Sequence, residues 1–249
     1  MTDHAPMQVL ANSKKVVDTL LANGPMTPAE LAEAIGVPRS TAYRLAGALT
    51  AVNLTELQAN GTFDLSLRWL HLADTAFFAL SEWADTHEAL AKLSQETRQT
   101  AFLSVRRGFQ SVCVDSVTGQ GPGMLVVRRG YTAPLHAGAP GRTFLANLAR
   151  PDEYLQRAPF AQLTTNTITT SAALAADIDL IRARGYAMAE EDVMTGLSTI
   201  AVAVFDLRHV ARGCVCLGGL ADEIRRREQE LASALQAVAT TLEHSLPGG

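Results

Sequence analysis

The first group of residues that could carry chemistry lies at positions 39–44. Arg39, Ser40, Thr41, Tyr43 and Arg44 provide two guanidinium groups and three hydroxyls within six positions. Arginine and hydroxyl side chains bind phosphate oxygens and base edges, so this set suits a helix that enters the major groove of DNA. The alternative is the solvated face of a small helical domain that contacts another protein.

The second group is the segment from Leu135 to Ala146, which reads LHAGAPGRTFLA. A strand-like run precedes it, and a helix is expected to begin near Gly141. Backbone N–H groups at a helix start attract anions. The segment lacks the glycine run and lysine of a phosphate-binding loop, so phosphate is disfavoured. Pro140 has no N–H, which would weaken an anion site here.

Catalytic signatures are scarce. The chain contains no GxSxG, no P-loop and no HExxH. The acidic run Glu190–Asp192 suits a solvated loop better than a pair of acid–base carboxylates. Cys113, Cys214 and Cys216 form no CxxC pair, so core packing is favoured over a zinc site. We therefore expect no catalytic residue, no cofactor and no metal, with an enzyme acting on a small ligand as the alternative.

The elements that must position residues 39–44 are helices and a hairpin. Apolar spacing predicts three helices, at 9–22, 28–35 and 39–49. Thr27 and Glu30 predict a capping box at the start of the second helix. Asn60–Gly61 predicts a hairpin turn between strands at 55–57 and 62–65. Residues 1–65 are therefore predicted to form a winged helix-turn-helix domain.

Charge argues against tight DNA binding by a single copy of that domain. Residues 1–65 contain four Lys or Arg and six Asp or Glu. Phosphate contacts supply most of the affinity of a DNA-binding protein, so we expect a dimer at least. Residues 66–80 follow, with apolar side chains around most of the helix circumference. They are predicted to form a linker helix and dimer contact, or alternatively a core helix of the next domain.

Residues 81–249 are predicted to form an α+β domain with a curved antiparallel sheet. The strands are expected at 101–105, 111–117, 124–127, 200–205 and 214–217. The helices are expected at 82–96, 141–148, 172–184 and 221–242.

The composition bounds the class of protein. The 249 residues carry a net charge of −4, with 47% hydrophobic and 18% charged residues, which excludes a disordered chain. We expect neither a signal peptide nor a membrane span. Three cysteines without a pairing pattern favour a reducing compartment, so a cytoplasmic location is expected.

Several motifs together resemble the IclR family of bacterial transcriptional regulators over nearly the whole chain. They are PRSTAYRL at 38–45, LHA at 135–137 with Gly141-Arg142 and Leu145-Ala146, Ile181-Arg182 with Gly185-Tyr186-Ala187, and Glu190-Glu191 with Gly196 and Ile200-Ala201. The resemblance implies a winged helix domain, a linker helix and a GAF-like effector-binding domain. It also implies homodimers that often pair into tetramers, palindromic promoter DNA as partner, and a small organic effector.

The resemblance further implies where an effector binds. The corresponding positions are Leu125, Ala133, Ala139, Pro140, Ala189, Thr199, Cys216 and Gly218. Ala133, Ala189 and Gly218 are small, so we expect a wide cavity of low polarity. Such a cavity favours an aromatic acid or related compound from a catabolic pathway, with a small aliphatic 2-oxo acid as the alternative.

Overall fold

A computed structural model describes residues 7–78, 81–83, 86–121 and 125–246. The chain divides into two compact units, Met1–Leu80 and Ser81–Gly249. The predicted linker residues 66–80 fall within the first unit. Among the described residues, no helix combines the length and the apolar character needed to cross a membrane.

The first unit confirms the predicted winged helix-turn-helix. Its elements are α1 (Gln8–Asn23), α2 (Pro28–Ile35), α3 (Arg39–Ala51), β1 (Thr55–Leu57), β2 (Phe63–Leu65) and α4 (Arg68–Phe78). The predicted capping box is present, with the Thr27 hydroxyl accepting from the Glu30 amide and the Glu30 carboxylate accepting from the Thr27 amide. Strands β1 and β2 pair antiparallel. Val16, Leu31 and Phe63 are fully buried between the helices and this hairpin.

Helix α4 contacts its own unit near its start. The Trp69 indole donates to the carbonyl of Leu54 at 2.7 Å, and the Ser66 hydroxyl donates to the carbonyl of Asn53 at 2.6 Å. The side chains of Leu67 and Leu70 are 74% and 66% exposed. The predicted linker helix covers residues 66–80. Its last residue, Leu80, and the side chains of residues 76–80 lie outside the described part of the chain. In the described part, Trp69 contacts the first unit, while Leu67 and Leu70 are exposed to solvent.

The second unit is one antiparallel sheet with helices packed against it. Its elements are α5 (Thr86–Thr97), β3 (Thr100–Arg107), β4 (Gln110–Val117), β5 (Thr132–Pro134), α6 (Gly138–Ala146), α7 (Asp152–Leu155), α8 (Ser171–Arg184), β6 (Ala187–Glu190), β7 (Leu197–Phe205), β8 (Ala211–Leu220), α9 (Ala221–Arg226) and α10 (Glu228–Ser245). The strand order is β5-β4-β3-β8-β7-β6, with every neighbouring pair antiparallel. The predicted α+β class with an antiparallel sheet is confirmed.

One predicted strand is wrong. Residues 125–127 have no strand structure, and Met124 lies outside the described residues. The carbonyls of Leu125 and Val127 accept from the side-chain hydroxyls of Thr100 and Ser116, at 2.6 Å and 2.7 Å. Because side chains occupy these acceptors, the segment follows the sheet without joining its backbone ladder.

Other boundaries also differ from the prediction. Helix α6 begins at Gly138, three residues earlier than expected, and the helix predicted at 221–242 is broken at Arg227 into α9 and α10. The short edge strands β5 and β6 and the four-residue helix α7 were not predicted. Edge strands of three or four residues carry too little alternation to be recognised in a sequence.

Helix α6 packs closely on the segment that precedes it, and one substitution tests this. A Cβ atom at Gly141 would lie 2.6 Å from the carbonyl oxygen of Leu135, a backbone atom that cannot move aside alone. We expect Gly141→Ala to lower the free energy of unfolding by about 1–3 kcal/mol. Gly47→Ala is the matched control, because its Cβ meets nothing within 4 Å and alanine favours helix α3. Urea denaturation of both variants measures the difference, and equal stability would contradict the close packing.

Candidate functional site

The first candidate site is the exposed face of helix α3. Ala42, Ala46 and Leu49 are buried against the first unit, so the opposite face meets solvent. That face brings together four of the five predicted residues as exposed side chains, with Thr41 half-buried beside them; the four are Arg39, Ser40, Tyr43 and Arg44. The Tyr43 ring also meets the ring of Phe63 edge-on at 5.8 Å, which orients it.

The second candidate site is a cavity of about 120 Å³ in the second unit. Four predicted residues line it: Leu125, Ala133, Pro140 and Thr199. The other thirteen lining residues were not among the predicted ones; they are Phe102, Ser104, Ser111, Cys113, Val126, Val127, Tyr131, Ala137, Gly138, Asp192, Val193, Met194 and Leu197. Strands, the start of α6 and two loops all contribute, so the cavity is assembled from segments far apart in sequence.

The other four predicted residues are buried but are not among those that line the cavity. They are Ala139, Ala189, Cys216 and Gly218. A Cβ atom at Gly218 would lie 2.5 Å from Leu125 Cδ2 and 3.2 Å from Thr199 Cγ2. The Leu125 side chain therefore already occupies the space beside this glycine. The expectation that Gly218 widens the cavity is therefore wrong, because a side chain from another segment fills the space beside this glycine.

The start of helix α6 is already occupied by protein side chains. The Gly138 amide donates to Asp192 Oδ2 at 3.0 Å, and the Ala139 amide donates to Thr199 Oγ1 at 3.1 Å. Pro140 follows and has no N–H. The helix-start amide expected to meet a ligand carboxylate at Ala139 is thus already hydrogen-bonded within the protein. A side-chain carboxylate therefore satisfies a donor at this helix start.

Asp192 is a site residue that the sequence analysis misjudged. The acidic run at 190–192 was expected to be a solvated loop, yet Asp192 is only 4% exposed. Its backbone carbonyl also accepts from the Thr167 hydroxyl at 2.6 Å, which fixes the loop. Three consecutive acidic residues are typical of an exposed loop, so the sequence did not indicate that Asp192 is buried. Its carboxylate lies in the interior because it contacts the start of α6 and a buried arginine.

That arginine, Arg142, connects three segments of the second unit. Its guanidinium lies 3.1 Å from Asp177 Oδ2 and 3.4 Å from Asp192 Oδ2, and it donates to the carbonyl of Met188 at 2.8 Å. We call Asp177, Arg142 and Asp192 the buried triad. All three are largely removed from solvent. Two carboxyl groups therefore share one guanidinium.

The three cysteines are buried free thiols. Cys113 lines the cavity, and the sulfurs of Cys214 and Cys216 lie 3.7 Å apart in the core. Burial, with the nearby Asp115 carboxylate, raises the pKa of Cys113 to about 12. This thiol is therefore protonated at neutral pH and is a poor nucleophile. Within the described residues, no three His, Cys, Asp or Glu side chains are placed to hold a metal ion.

Comparison with known proteins gives consistent matches. Residues 83–244 match the family model for the C-terminal domain of the bacterial transcriptional regulator IclR, and residues 14–58 match the IclR helix-turn-helix domain. The HTH-type transcriptional regulator Rv1719 of Mycobacterium tuberculosis is 32% identical over 235 residues, which cover 93% of this chain and 89% of that protein. The transcriptional repressor IclR of Escherichia coli is 23% identical, with 86% and 80% covered.

Solved structures match at the level of the fold. The IclR of Thermotoga maritima aligns with a TM-score of 0.71 and 23% identity, covering 96% of this chain and 100% of that one. An IclR homolog from Microbacterium hydrocarbonoxydans, crystallised with 4-hydroxybenzoate, aligns with a TM-score of 0.76 and 20% identity, covering 96% and 99%. Both alignments include the two units described above.

Proposed function

This chain belongs to the IclR family of transcriptional regulators, and on that basis we propose how its two units act. The first unit binds promoter DNA through helix α3, and the second unit binds a small effector in the cavity. The effector shifts the population between arrangements with different spacing of two recognition helices, which changes the affinity for an operator. The single observation that carries the DNA-binding part is the exposed set of arginines and hydroxyls on α3.

We propose that the protein acts in the cytoplasm as a homodimer, or as a tetramer built from dimers, on a palindromic operator. The first unit has few cations, so one copy would gain too little from phosphate contacts at physiological salt. Leu70 in α4 and Leu67 just before it are exposed apolar side chains that a second copy would cover. Two copies related by a two-fold axis read two half-sites, which explains why the operator would be palindromic.

We propose that the effector contains one aromatic ring, as an aromatic acid or related compound of a catabolic operon would. The cavity measures about 120 Å³. This volume is of the same order as the engineered apolar cavity of about 150 Å³ that binds benzene. Phe102, Leu125 and Val127 supply apolar walls, while Ser104 and Thr199 supply hydroxyls. The 4-hydroxybenzoate bound by the Microbacterium homolog indicates that a fold of this kind admits a single ring.

Isothermal titration calorimetry tests the class of effector. Phenol and benzoate represent single-ring compounds, and glyoxylate and pyruvate represent small 2-oxo acids. We expect a ring compound to bind tighter than either oxo acid, because the walls are apolar and the amides of α6 are occupied. Tighter binding of glyoxylate or pyruvate would overturn the proposal of an aromatic effector.

Gly218→Ala is expected to weaken binding of the ring compound at least tenfold. The added methyl group would lie 2.5 Å from Leu125 Cδ2, at the end of a side chain that can rotate. We expect Leu125 to move into the cavity and remove the space for a ring. Calorimetry with the same ring compound measures the loss, with Gly47→Ala as the glycine control in the other unit. Unchanged affinity in Gly218→Ala would show that the ring does not bind beside Leu125.

A further inference from the structure

The cavity wall has an unusual charge for a site that would hold an organic acid. Among the described residues that line it, Asp192 is the sole Asp or Glu, and no Lys, Arg or His takes part. Ser104, Ser111, Tyr131 and Thr199 contribute hydroxyls, which are neutral at physiological pH. The charged residue that lines this cavity is therefore acidic, and no basic residue among the described lining residues balances it.

The backbone donors at the start of α6 do not make up for the missing cation. The amides of Gly138 and Ala139 already donate to Asp192 and Thr199, and Pro140 has no amide hydrogen. A ligand carboxylate could use these amides only by displacing the Asp192 carboxylate or the Thr199 hydroxyl. Displaced from Gly138, the Asp192 carboxylate would be left beside a second anion in a region shielded from water, which is costly.

Arg142 does not reverse this electrostatic balance. Its guanidinium is shared by Asp177 and Asp192 and does not line the cavity. The positive charge of Arg142 is therefore offset within the buried triad, while Asp192, which lines the cavity, repels a ligand carboxylate and can accept from a hydrogen-bond donor. The free energy of desolvation is far smaller for an uncharged hydrogen-bond donor than for an ion, which favours a neutral ligand between apolar walls.

We propose that the effector is an uncharged aromatic compound that carries a hydrogen-bond donor, of the phenol class, and that its hydroxyl donates to the Asp192 carboxylate. The ring lies among Phe102, Leu125 and Val127. This inference rests on the proposed function of the cavity and narrows it, since it separates neutral phenols from aromatic acids. Asp192 then determines specificity as well as holding the start of α6.

Three probes of similar size test the proposal on the full-length protein by calorimetry at neutral pH. Phenol is neutral and donates, anisole is neutral and cannot donate, and benzoate is an anion. We expect phenol to bind at least tenfold tighter than benzoate and at least threefold tighter than anisole. Binding of benzoate as tight as that of phenol, or equal binding of phenol and anisole, would overturn the inference.

Two variants connect the preference to one carboxylate. Asp192→Asn keeps an oxygen that can accept from the Gly138 amide and removes the charge, so the phenol-to-benzoate preference should fall at least fivefold. Asp177→Asn is the matched control, because it removes the other carboxylate of the buried triad but lies outside the cavity lining, and the preference should stay within threefold. An unchanged preference in a folded Asp192→Asn protein would refute the role of Asp192.

The result also separates this inference from the proposed function. Benzoate bound tighter than phenol would overturn the phenol class while leaving the cavity as an effector site. Absence of binding by all three probes would overturn both the phenol class and the aromatic effector. If Asp192→Asn does not fold, the affinities of the unmodified protein for the three probes still decide the proposal.

Discussion

Replacing Arg142 by alanine is expected to lower the free energy of unfolding of the second unit by about 3–5 kcal/mol, the usual cost of leaving a buried ion pair without one partner. The substitution leaves Asp177 and Asp192 without their shared counter-charge and leaves the Met188 carbonyl without its donor. Both carboxylates are largely buried, so water cannot replace the guanidinium fully. We expect the segments that contact Arg142, which include α8, β6 and the loop that holds Asp192, to lose their packing against α6.

Urea denaturation followed by circular dichroism measures the effect, with Arg182→Ala as the matched control. Arg182 also lies in the second unit, but its partner Asp179 is exposed and the pair is worth about 0–1 kcal/mol. Its hydrogen bond to the Ala146 carbonyl adds about 0.5–1.5 kcal/mol. A loss in Arg142→Ala no larger than that in Arg182→Ala would show that the buried triad does not hold the second unit together.

Arg44→Ala is expected to weaken operator binding by about tenfold to a hundredfold for each copy of the protein on the DNA. The side chain is exposed on α3 beside Arg39 and Ser40, and each arginine contact to DNA contributes about 1–3 kcal/mol. A dimer would lose the contact twice. If Arg44 binds phosphate, the slope of affinity against salt concentration should also fall by about one for each copy.

A gel shift at fixed salt, followed by a salt titration, measures both quantities. Arg182→Ala again serves as the control, because it removes the same charge from the other unit. Unchanged affinity in Arg44→Ala, or an equal loss in Arg182→Ala, would contradict the assignment of α3 as the helix that contacts DNA. The reading of the first unit as a protein-contact domain would then be favoured.

The N-terminal domain could be predicted well because its signals are local. The Thr27–Glu30 capping box and the Asn60–Gly61 turn each fix a boundary within a few residues, and both are present. The core of the second unit was also predictable, since β3 and β8 are long strands whose central segments, 101–105 and 214–217, are mostly apolar. The short strands at the sheet edges were not predicted, because three or four residues are too few to show an alternation of apolar and polar side chains.

The cavity could be predicted only in part, since its walls come together through tertiary contacts. Family resemblance indicated Leu125 and Thr199, which do line it. It did not indicate that Leu125 fills the space beside Gly218, or that Asp192 is buried against α6. An acidic residue in a charged run looks solvated in a sequence, and only its partners in the fold show why it is inside.

The central claim is that a ring compound bound in the cavity controls DNA binding by α3. The direct test is fluorescence anisotropy with DNA from the region upstream of the protein's own gene, measured with and without phenol at saturation. We expect phenol to change the Kd for DNA at least fivefold, and we expect this change to be lost in Gly218→Ala, whose DNA affinity without phenol stays normal. An identical Kd with and without bound phenol would contradict the account.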